Sequence, residues 1–494
     1  MTFQGDLSSA TSHVDSHVAD LEGLLRSLVR FRTENPPGHV GKLVDFVEEY
    51  ASGLGLETRR VVPTVDYAVD YCRRRGVELL EFFEDRGIHV EEFCQERGVS
   101  EKMFERDPHA LLDEVLPDGL SNHPTLFLSA RRGSSGKKLT FVVHSDVVPA
   151  GDLEKWGGMD PFDLTAREGV DGEVRYFGRG VADTKGSLAA VLFALRALVE
   201  TGAEWEGEVE VVLTPDEETA SVLGIKYLVG RGMISGDAVV VCEPTVGLGG
   251  MVLVALGERG HVSVTLRASG KSAHESMKFL GESAIEKLTA VVERLLDLEK
   301  ERLEISGPLK DLVERSIQAF SPRLASRREM EDIYTRTRVN VGVFHGGSKV
   351  NVVPDEAEVD VGFRTMPGTT TDDVVAKVKD VLRSTKFDRV RPRRARKVKI
   401  VEVSDLPASF LPNAGEIFEV VRRAAKDAWG VEDVPGILYP GATDACWIRS
   451  PERPTIVFGL GAGNVHSEME NVLKRDFVNA TKVYARVVMD FLSK

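Results

Sequence analysis

The chain is organised around one stretch, Leu139-Thr140-Phe141-Val142-Val143-His144-Ser145-Asp146-Val147-Val148-Pro149. Its apolar half, residues 139–143, predicts a buried strand that runs into a polar turn. Ligands of open α/β sheets gather at the carboxyl ends of strands, so this turn marks a candidate site. His144 is a candidate metal ligand, and Asp146 can accept the proton on its other ring nitrogen. From this stretch alone, the more ordinary interpretation of His144 is a hydrogen-bonded loop residue.

The composition predicts a protein of more than one domain. The chain has 494 residues, a net charge of −15, 42% hydrophobic residues and 29% charged residues. One core rarely grows to this size. The negative charge argues against nucleic acid or an anionic membrane as the main partner. Four cysteines without a Cys-x-x-Cys pair, a polar start and no long apolar segment together predict a soluble, cytoplasmic protein with reduced thiols.

Strands and helices alternate in most of the chain. Apolar runs predict further buried strands at residues 209–213, 238–242 and 455–460. Helical spacing of apolar residues predicts helices at about 18–29, 40–54, 188–199, 414–429 and 472–492. This alternation predicts an α/β fold in which a parallel or mixed sheet carries helices on both faces.

The pattern changes after Gly257. Alternating residues predict half-exposed antiparallel strands at 262–268, 340–344 and 357–363, and helices are predicted near 282–304 and 372–383. With a strand near 398–403, they form a predicted α+β domain. We therefore expect a first domain of residues 1–257 and 406–494, with a smaller domain, 258–405, inserted in it.

Residues 66–116 carry an 11-residue repeat. Arg-Gly pairs begin at residues 75, 86 and 97, and phenylalanines stand at 82, 93 and 104. The repeat predicts three short helices, each ended by a glycine. We favour a helical insertion that buries its own phenylalanines. A surface for a partner, or a cover over the site, is the alternative.

Residues of metal-ligand type follow five predicted strand ends of the first domain. Because such ends can meet at one edge of a sheet, we expect these side chains to converge. Two histidines and three carboxylates suit zinc or a similar divalent ion, and two ions about 3.5–4 Å apart can share a carboxylate. A solvated acidic turn is the alternative for residues 216–218. The five positions are His144, Asp183, Glu217-Glu218, Glu243 and His466.

The motifs around these positions resemble one family, the co-catalytic zinc hydrolases that include acetylornithine deacetylase, succinyl-diaminopimelate desuccinylase, aminoacylase and glutamate carboxypeptidase. The resemblance implies a zinc-exopeptidase-like catalytic domain, an inserted ferredoxin-like lid that forms a homodimer, and two divalent ions, zinc or cobalt. It covers nearly all of the chain except residues 66–116 and part of 305–337. The motifs are His144-x-Asp146-x-Val148-Pro149, Gly180-x-x-Asp183-x-Lys185-Gly186, Asp216-Glu217-Glu218, Glu243-Pro244 and the late His466.

The resemblance also implies a role for each residue. Glu217 would be the general base of amide hydrolysis, and Asp146 would orient a metal-binding histidine. Asp183 would bridge the two ions. The first ion would lie between His144 and Glu243, and the second between Glu218 and His466.

The second domain offers further candidates. The resemblance implies that His274 reaches across a dimer to stabilise the oxyanion. Arg364 is suited to bind a substrate carboxylate through two hydrogen bonds, and a salt bridge with Asp360 is the alternative. Asn340 and Gly441 are the remaining substrate-binding candidates, although an alanine follows Gly441 where the family commonly has a second glycine.

The residue type at position 243 indicates the class of substrate. Deacylases and carboxypeptidases of the family resemble this chain in having Glu there, whereas its dipeptidase and tripeptidase branches usually have Asp. We therefore expect hydrolysis of an N-acyl amino acid, of the acetylornithine or succinyl-diaminopimelate type. A metallocarboxypeptidase or dipeptidase is the runner-up. A non-catalytic binding or scaffold protein is the alternative of another class, although no ligand and no base is missing.

Overall fold

The computed structural model describes residues 4–75, 79–87, 120–321, 323–385, 398–413, 415–461 and 464–493. In these ranges no helix combines the length and the apolarity needed to cross a lipid bilayer. The α-helices there are α1 (Gln4–Ser16), α2 (Val18–Val29), α3 (Gly41–Gly53), α4 (Val65–Arg75), α5 (Leu79–Glu84), α6 (Lys185–Glu200), α7 (Ile225–Gly230), α8 (Ala284–Leu296), α9 (Gly307–Phe320), α10 (Arg327–Thr335), α11 (Thr371–Ser384), α12 (Gly415–Trp429), α13 (Ala445–Ile448) and α14 (Lys474–Phe491). The strands are β1 (Glu57–Val61), β2 (Thr125–Arg132), β3 (Lys138–His144), β4 (Thr165–Glu168), β5 (Val174–Phe177), β6 (Gly207–Thr214), β7 (Ala238–Val246), β8 (Val254–Glu258), β9 (Gly260–Ser269), β10 (Arg338–Gly346), β11 (Glu356–Thr365), β12 (Val398–Leu406), β13 (Ser409–Phe410), β14 (Gly436–Tyr439), β15 (Thr455–Leu460) and β16 (Asn471–Leu473).

The large sheet has the strand order β1-β2-β6-β3-β7-β15-β8-β13, with β14 paired to β8. Its centre is parallel, since β3 pairs in parallel with β6 and β7, and β15 pairs in parallel with β7. The predicted α/β fold is confirmed, and the sheet is mixed because β1, β2, β8 and β13 add antiparallel pairs. The carboxyl ends of β3, β6, β7 and β15 therefore lie along one edge.

Burial explains why the central strands are apolar throughout. Every residue of β7 is buried, as are residues 139–144 of β3, because helices cover the sheet. Helix α6 is buried along most of its length, which is typical of a helix packed between a sheet and other helices. Strand β7 continues past the predicted end at Cys242, so Glu243 lies within the strand.

The smaller sheet is antiparallel, with the order β10-β11-β9-β12. Helix α8 follows β9 and helix α11 follows β11, which gives the βαββαβ order of a ferredoxin-like unit. Burial alternates along β9, so one face packs on the helices and the other is half-exposed. The predicted ferredoxin-like α+β unit is confirmed. The domain boundaries at 257 and 405 stay a prediction.

Helices α9 and α10 connect the two sheets. Their apolar residues, among them Leu312, Phe320 and Tyr334, belong to the core of the large sheet. Tyr334 also donates a hydrogen bond to the Leu438 carbonyl at 2.7 Å. These helices therefore stabilise the large domain although they lie between strands of the smaller one.

The repeat region is helical where it is described. Helices α4 and α5 correspond to its beginning, and Gly87 follows α5 with a positive φ of 68°, as predicted for a glycine that ends a helical unit. Phe82 is 3% exposed. The later units, with Phe93 and Phe104, lie outside the described residues.

Candidate metal centre

Asp183 lies between the two predicted histidine ligands. His144 Nε2 is 2.9 Å from Asp183 Oδ1, and His466 Nε2 is 3.0 Å from Asp183 Oδ2. Each oxygen of one carboxylate thus faces a different imidazole. This is the arrangement that a bridging carboxylate needs between two cations.

The other predicted ligands complete two groups around this carboxylate. His144 Nε2 is 3.4 Å from Glu243 Oε1, and His466 Nε2 is 3.2 Å from Glu218 Oε2. The ligand atoms of each group lie within 4.8 Å of one another. The two groups are His144, Asp183 and Glu243, and Asp183, Glu218 and His466.

Glu217 lies beside both groups. It forms a third close group with His144 and Glu218. Burial and the carboxylates of Glu243 and Glu218 raise the pKa of Glu217 well above its ordinary value. Burial and the carboxylate of Asp183 likewise raise the pKa of Glu243. The centre therefore holds more buried acid than its own side chains can neutralise.

The pKa values of the two histidines are raised as well. Hydrogen bonds to Asp183 and Glu218 raise the pKa of His466 to about 10. Burial opposes a charge on His144, yet Glu243, Asp146 and Asp183 raise its pKa well above the ordinary value. Both shifts show that the carboxylates favour a positive charge where the two imidazole nitrogens converge.

The donor set fits divalent cations. Imidazole nitrogens and carboxylate oxygens are ligands of zinc and similar ions. Glu218 Oε1 is buried and, among the described residues, has no hydrogen-bond partner, which leaves a carboxylate oxygen free for a cation. Pairing with a cation is also what makes buried charge tolerable.

Asp146 joins the first histidine to the acidic turn. His144 Nδ1 is 3.0 Å from the main-chain oxygen of Asp146 and 3.4 Å from its Oδ1. The backbone N–H groups of Glu217 and Glu218 donate to the Asp146 carboxylate at 3.2 and 3.1 Å. Asn35 Nδ2 donates to the same carboxylate at 2.8 Å. One buried aspartate therefore fixes both strand ends.

The position of Asp183 in the fold differs from the predicted one. It lies in the turn before helix α6, not at the end of a strand of the large sheet. The Glu470 carboxylate accepts hydrogen bonds from the backbone N–H groups of Ala182 and Asp183 at 2.8 and 3.2 Å, and from Arg179 Nη1 at 2.6 Å. Since Glu470 follows His466 by four residues, it ties the two ligand-bearing loops together.

Sequence reasoning did not find Asn35 or Glu470. Both lie in loops far from the motifs they support, so spacing gives no signal for them. Arg179 is the one available hint for Glu470, because an arginine between two glycines, once buried, needs a carboxylate partner.

A cavity of about 470 Å³ opens beside the metal-ligand groups. Glu217, Glu218 and His466 line it from the large domain, and Arg364 and His261 line it from the smaller sheet. The predicted alternative for Arg364, a salt bridge with Asp360, is not formed, and Asp360 instead accepts a hydrogen bond from Thr265 Oγ1 at 2.7 Å. Within the described ranges no carboxylate pairs with the Arg364 guanidinium. Its charge therefore remains available to a ligand.

The other candidates lie outside this cavity. His274 and Asn340 are exposed in the single chain, and neither is among the residues that line it. Gly441 stands next to the lining residue Ala442. Its loop is fixed because Thr443 donates two hydrogen bonds to buried Glu258, at 3.0 and 2.8 Å. The roles of all three residues stay predictions.

Comparison with known proteins identifies the family. The profile of peptidase family M20/M25/M40 matches residues 140–490. The chain belongs to this family. M20 members are metal-dependent, and the chain is a hydrolase of carbon–nitrogen bonds. The recognised resemblance is confirmed.

Two relatives of this M20 hydrolase carry the same name. It is 27% identical over 366 residues to succinyl-diaminopimelate desuccinylase of Rhodospirillum centenum, which covers 73% of this chain and 83% of the relative. It is 26% identical over 393 residues to that of Thioalkalivibrio sulfidiphilus, which covers 77% and 92%.

Solved M20 structures share the fold. The dipeptidase Dug1p of Saccharomyces cerevisiae superposes with a TM-score of 0.72 at 16% identity and covers 98% of each chain. The metallo-carboxypeptidase Sso-CP2 of Sulfolobus solfataricus gives 0.69 at 17% identity, with 95% and 99% covered. At these identities the likeness supports the fold alone.

Proposed function

We propose that this M20 hydrolase cleaves the amide bond of N-acyl amino acids that carry a free carboxylate. The observation that carries the proposal is that Glu217 and Arg364 line one cavity next to the metal-ligand groups. The predicted general base and a guanidinium that has no carboxylate partner among the described residues thus line the same cavity. A substrate with an amide and a carboxylate matches both.

Two divalent ions, zinc or cobalt, are part of the proposal. His144 and Glu243 would hold the first, Glu218 and His466 the second, and Asp183 both. When bound, such ions polarise a carbonyl and lower the pKa of water.

The side chains supply the remaining steps. Glu217 accepts a proton from the attacking water and returns it to the leaving amine. Its position relative to His144 is fixed because the Glu217 backbone N–H donates to Asp146 Oδ1 at 3.2 Å. Arg364 binds the substrate carboxylate through its planar fork of donors, which positions the amide next to Glu217.

The acyl amino acid is preferred over a peptide for two reasons. Glu243 stands where deacylases and carboxypeptidases of the resembling family have Glu, whereas its dipeptidase and tripeptidase branches usually have Asp, and the two relatives described above are named desuccinylases. A carboxypeptidase would use the same side chains, because it also cleaves an amide beside a free carboxylate.

A substrate panel tests this proposal. The zinc- and cobalt-loaded protein is assayed for release of free amine from N-acetyl and N-succinyl amino acids, their α-methyl esters and dipeptides. We expect the free acids to be hydrolysed and the esters to lose about 10- to 100-fold in kcat/KM, because hydrogen bonds to a charged group are lost. Arg364→Met should remove this preference for the acid.

Two results would contradict the proposal. Faster cleavage of dipeptides than of every acyl amino acid would make the chain a peptidase. No turnover of any compound by the metal-loaded protein would favour the binding-protein alternative.

We also propose a homodimer formed through the smaller sheet. Strand β10 is an edge strand and is exposed over most of its length. An unpaired edge strand with exposed apolar residues beside it is typical of an interaction site. His274 pairs with Val352 in an isolated bridge, which places it beside this surface. The exposed apolar residues are Met277, Phe279, Leu280, Val343, Phe344 and Val350.

Complementation tests whether His274 acts across this dimer. Mixing His274→Ala with Glu217→Ala should restore about a quarter of wild-type activity after subunit exchange, since half of the dimers are mixed and each has one intact site. Mixing Glu217→Ala with Asp183→Ala is the control. Each chain then carries a substitution in its own metal site, so a mixed dimer has no intact site. A fully active monomer in sedimentation would exclude the role.

A further inference from the structure

The helical insertion forms part of the cavity beside Glu217. Tyr71 of α4 and Phe82 of α5 line this cavity together with Glu217 and Glu218. Their rings lie 6.1 Å apart, and they are only 8% and 3% exposed. They therefore present a packed aromatic surface to the substrate space, not mobile side chains.

The described part of the insertion, α4 and α5, is fixed to the loop that carries the predicted base. Its apolar residues share a core with Val222 and Leu223, which follow that loop. Arg86 Nη2 is 3.7 Å from Asp216 Oδ2, and the Arg86 guanidinium lies 3.7 Å from the centre of the Phe82 ring. The position of Phe82 is thus linked to the residue that precedes Glu217.

The insertion is also fixed to the smaller sheet. Arg75 Nη2, at the end of α4, is 3.1 Å from Asp405 Oδ1 in β12. Asp405 is nearly buried, and its other oxygen accepts a hydrogen bond from Thr371 Oγ1 at 2.6 Å. Because Arg75 is paired with the smaller sheet and Arg86 with the loop that carries Glu217, the aromatic surface of α4 and α5 has a fixed position relative to Glu217 and Arg364.

We propose that α4 and α5 form a size-selecting wall of the substrate cavity, in which Tyr71 and Phe82 are the specificity-determining side chains. The proposal rests on the amide hydrolysis proposed above. The two rings line the same cavity as Glu217 and Arg364, so they limit the space that is left for the acyl group of a substrate bound there. The chain thereby selects substrates with a compact acyl group and rejects aromatic acyl groups.

Competition between two acyl groups tests the wall. The N-acetyl and N-benzoyl derivatives of one amino acid are supplied together, and the ratio of their kcat/KM values is measured. This ratio does not depend on the fraction of folded enzyme, so a partly unfolded variant still gives an answer. We expect Tyr71→Ala and Phe82→Leu each to shift the ratio towards benzoyl by roughly tenfold or more, as the loss of contacting carbons from a pocket does.

Tyr67→Ala is the matched control. Tyr67 is also on α4, but its ring packs against Tyr227 at 5.0 Å, and it does not line the cavity. Because the Tyr67 ring does not line the cavity, its loss should change the ratio by less than about twofold. An equal shift in Tyr67→Ala would mean general loosening and would contradict the wall.

The outcomes separate this proposal from the proposed function. Wild-type turnover with an unchanged ratio in both cavity variants would overturn the wall and leave amide hydrolysis standing. No wild-type turnover of acyl amino acids or dipeptides would overturn both.

Discussion

Replacing Glu217 by glutamine lowers kcat by about 10²- to 10⁴-fold in our account, because a positioned general base contributes that much. Both ions should stay bound, since the two predicted ligand groups do not require Glu217. Steady-state kinetics and metal analysis of the same sample measure the two effects separately. The near-isosteric amide leaves the packing of the buried site unchanged.

Asp85→Asn is the matched control for Glu217. Asp85 is another carboxylate that lines the same cavity, but it is exposed and lies outside the ligand groups. Its replacement should leave kcat within about twofold, as is usual for a surface substitution. The assignment of Glu217 as the general base, and not as a metal ligand, is contradicted if Glu217→Gln is purified without metal or keeps most of its activity.

Replacing Asp183 by asparagine should remove both ions and activity together. Its two oxygens face His144 and His466 at 2.9 and 3.0 Å, so the change weakens both positions at once. The proposed ions would contribute several kcal/mol of transition-state stabilisation, which is about 10³-fold or more in rate. Metal analysis should find fewer than one ion per chain.

Thermal unfolding gives an independent readout of the same change. An ion present at 100 times its Kd stabilises the folded state by about 2.7 kcal/mol, so zinc should raise the Tm of the wild type and not that of Asp183→Asn. Glu218→Gln is the comparison, because Glu218 belongs to the His466 group and not to the group with Glu243. It should retain about one ion per chain. Two ions retained in Asp183→Asn would contradict the bridging role.

Strand periodicity predicted the four central strands of the large sheet, β3, β6, β7 and β15, because they are largely apolar on both faces, and it did not find the five outer strands β1, β2, β8, β13 and β14. It also placed His144, Glu218 and His466 correctly, since each follows or ends a central strand. Asp183 converges with them for another reason. It is carried by the turn before α6 and fixed by Glu470, a contact between loops 287 residues apart. Such contacts leave no periodic signal in the sequence.

The insertion shows a second limit. The 11-residue repeat predicted short helices, and α4, α5 and Gly87 agree with it. The prediction that its phenylalanines are buried holds for Phe82. The same ring also lines the cavity, and the alternative of a partner surface or a cover over the site stays a prediction. Whether a buried aromatic ring faces a core or a substrate depends on tertiary packing, which spacing alone does not encode.

Anomalous diffraction at the zinc edge from crystals of the wild-type chain tests the central claim most directly. We expect two peaks about 3.5–4 Å apart. One should lie between His144, Asp183 and Glu243, and the other between Asp183, Glu218 and His466. No peak at these side chains in zinc-loaded crystals, or one ion bound elsewhere, would contradict it.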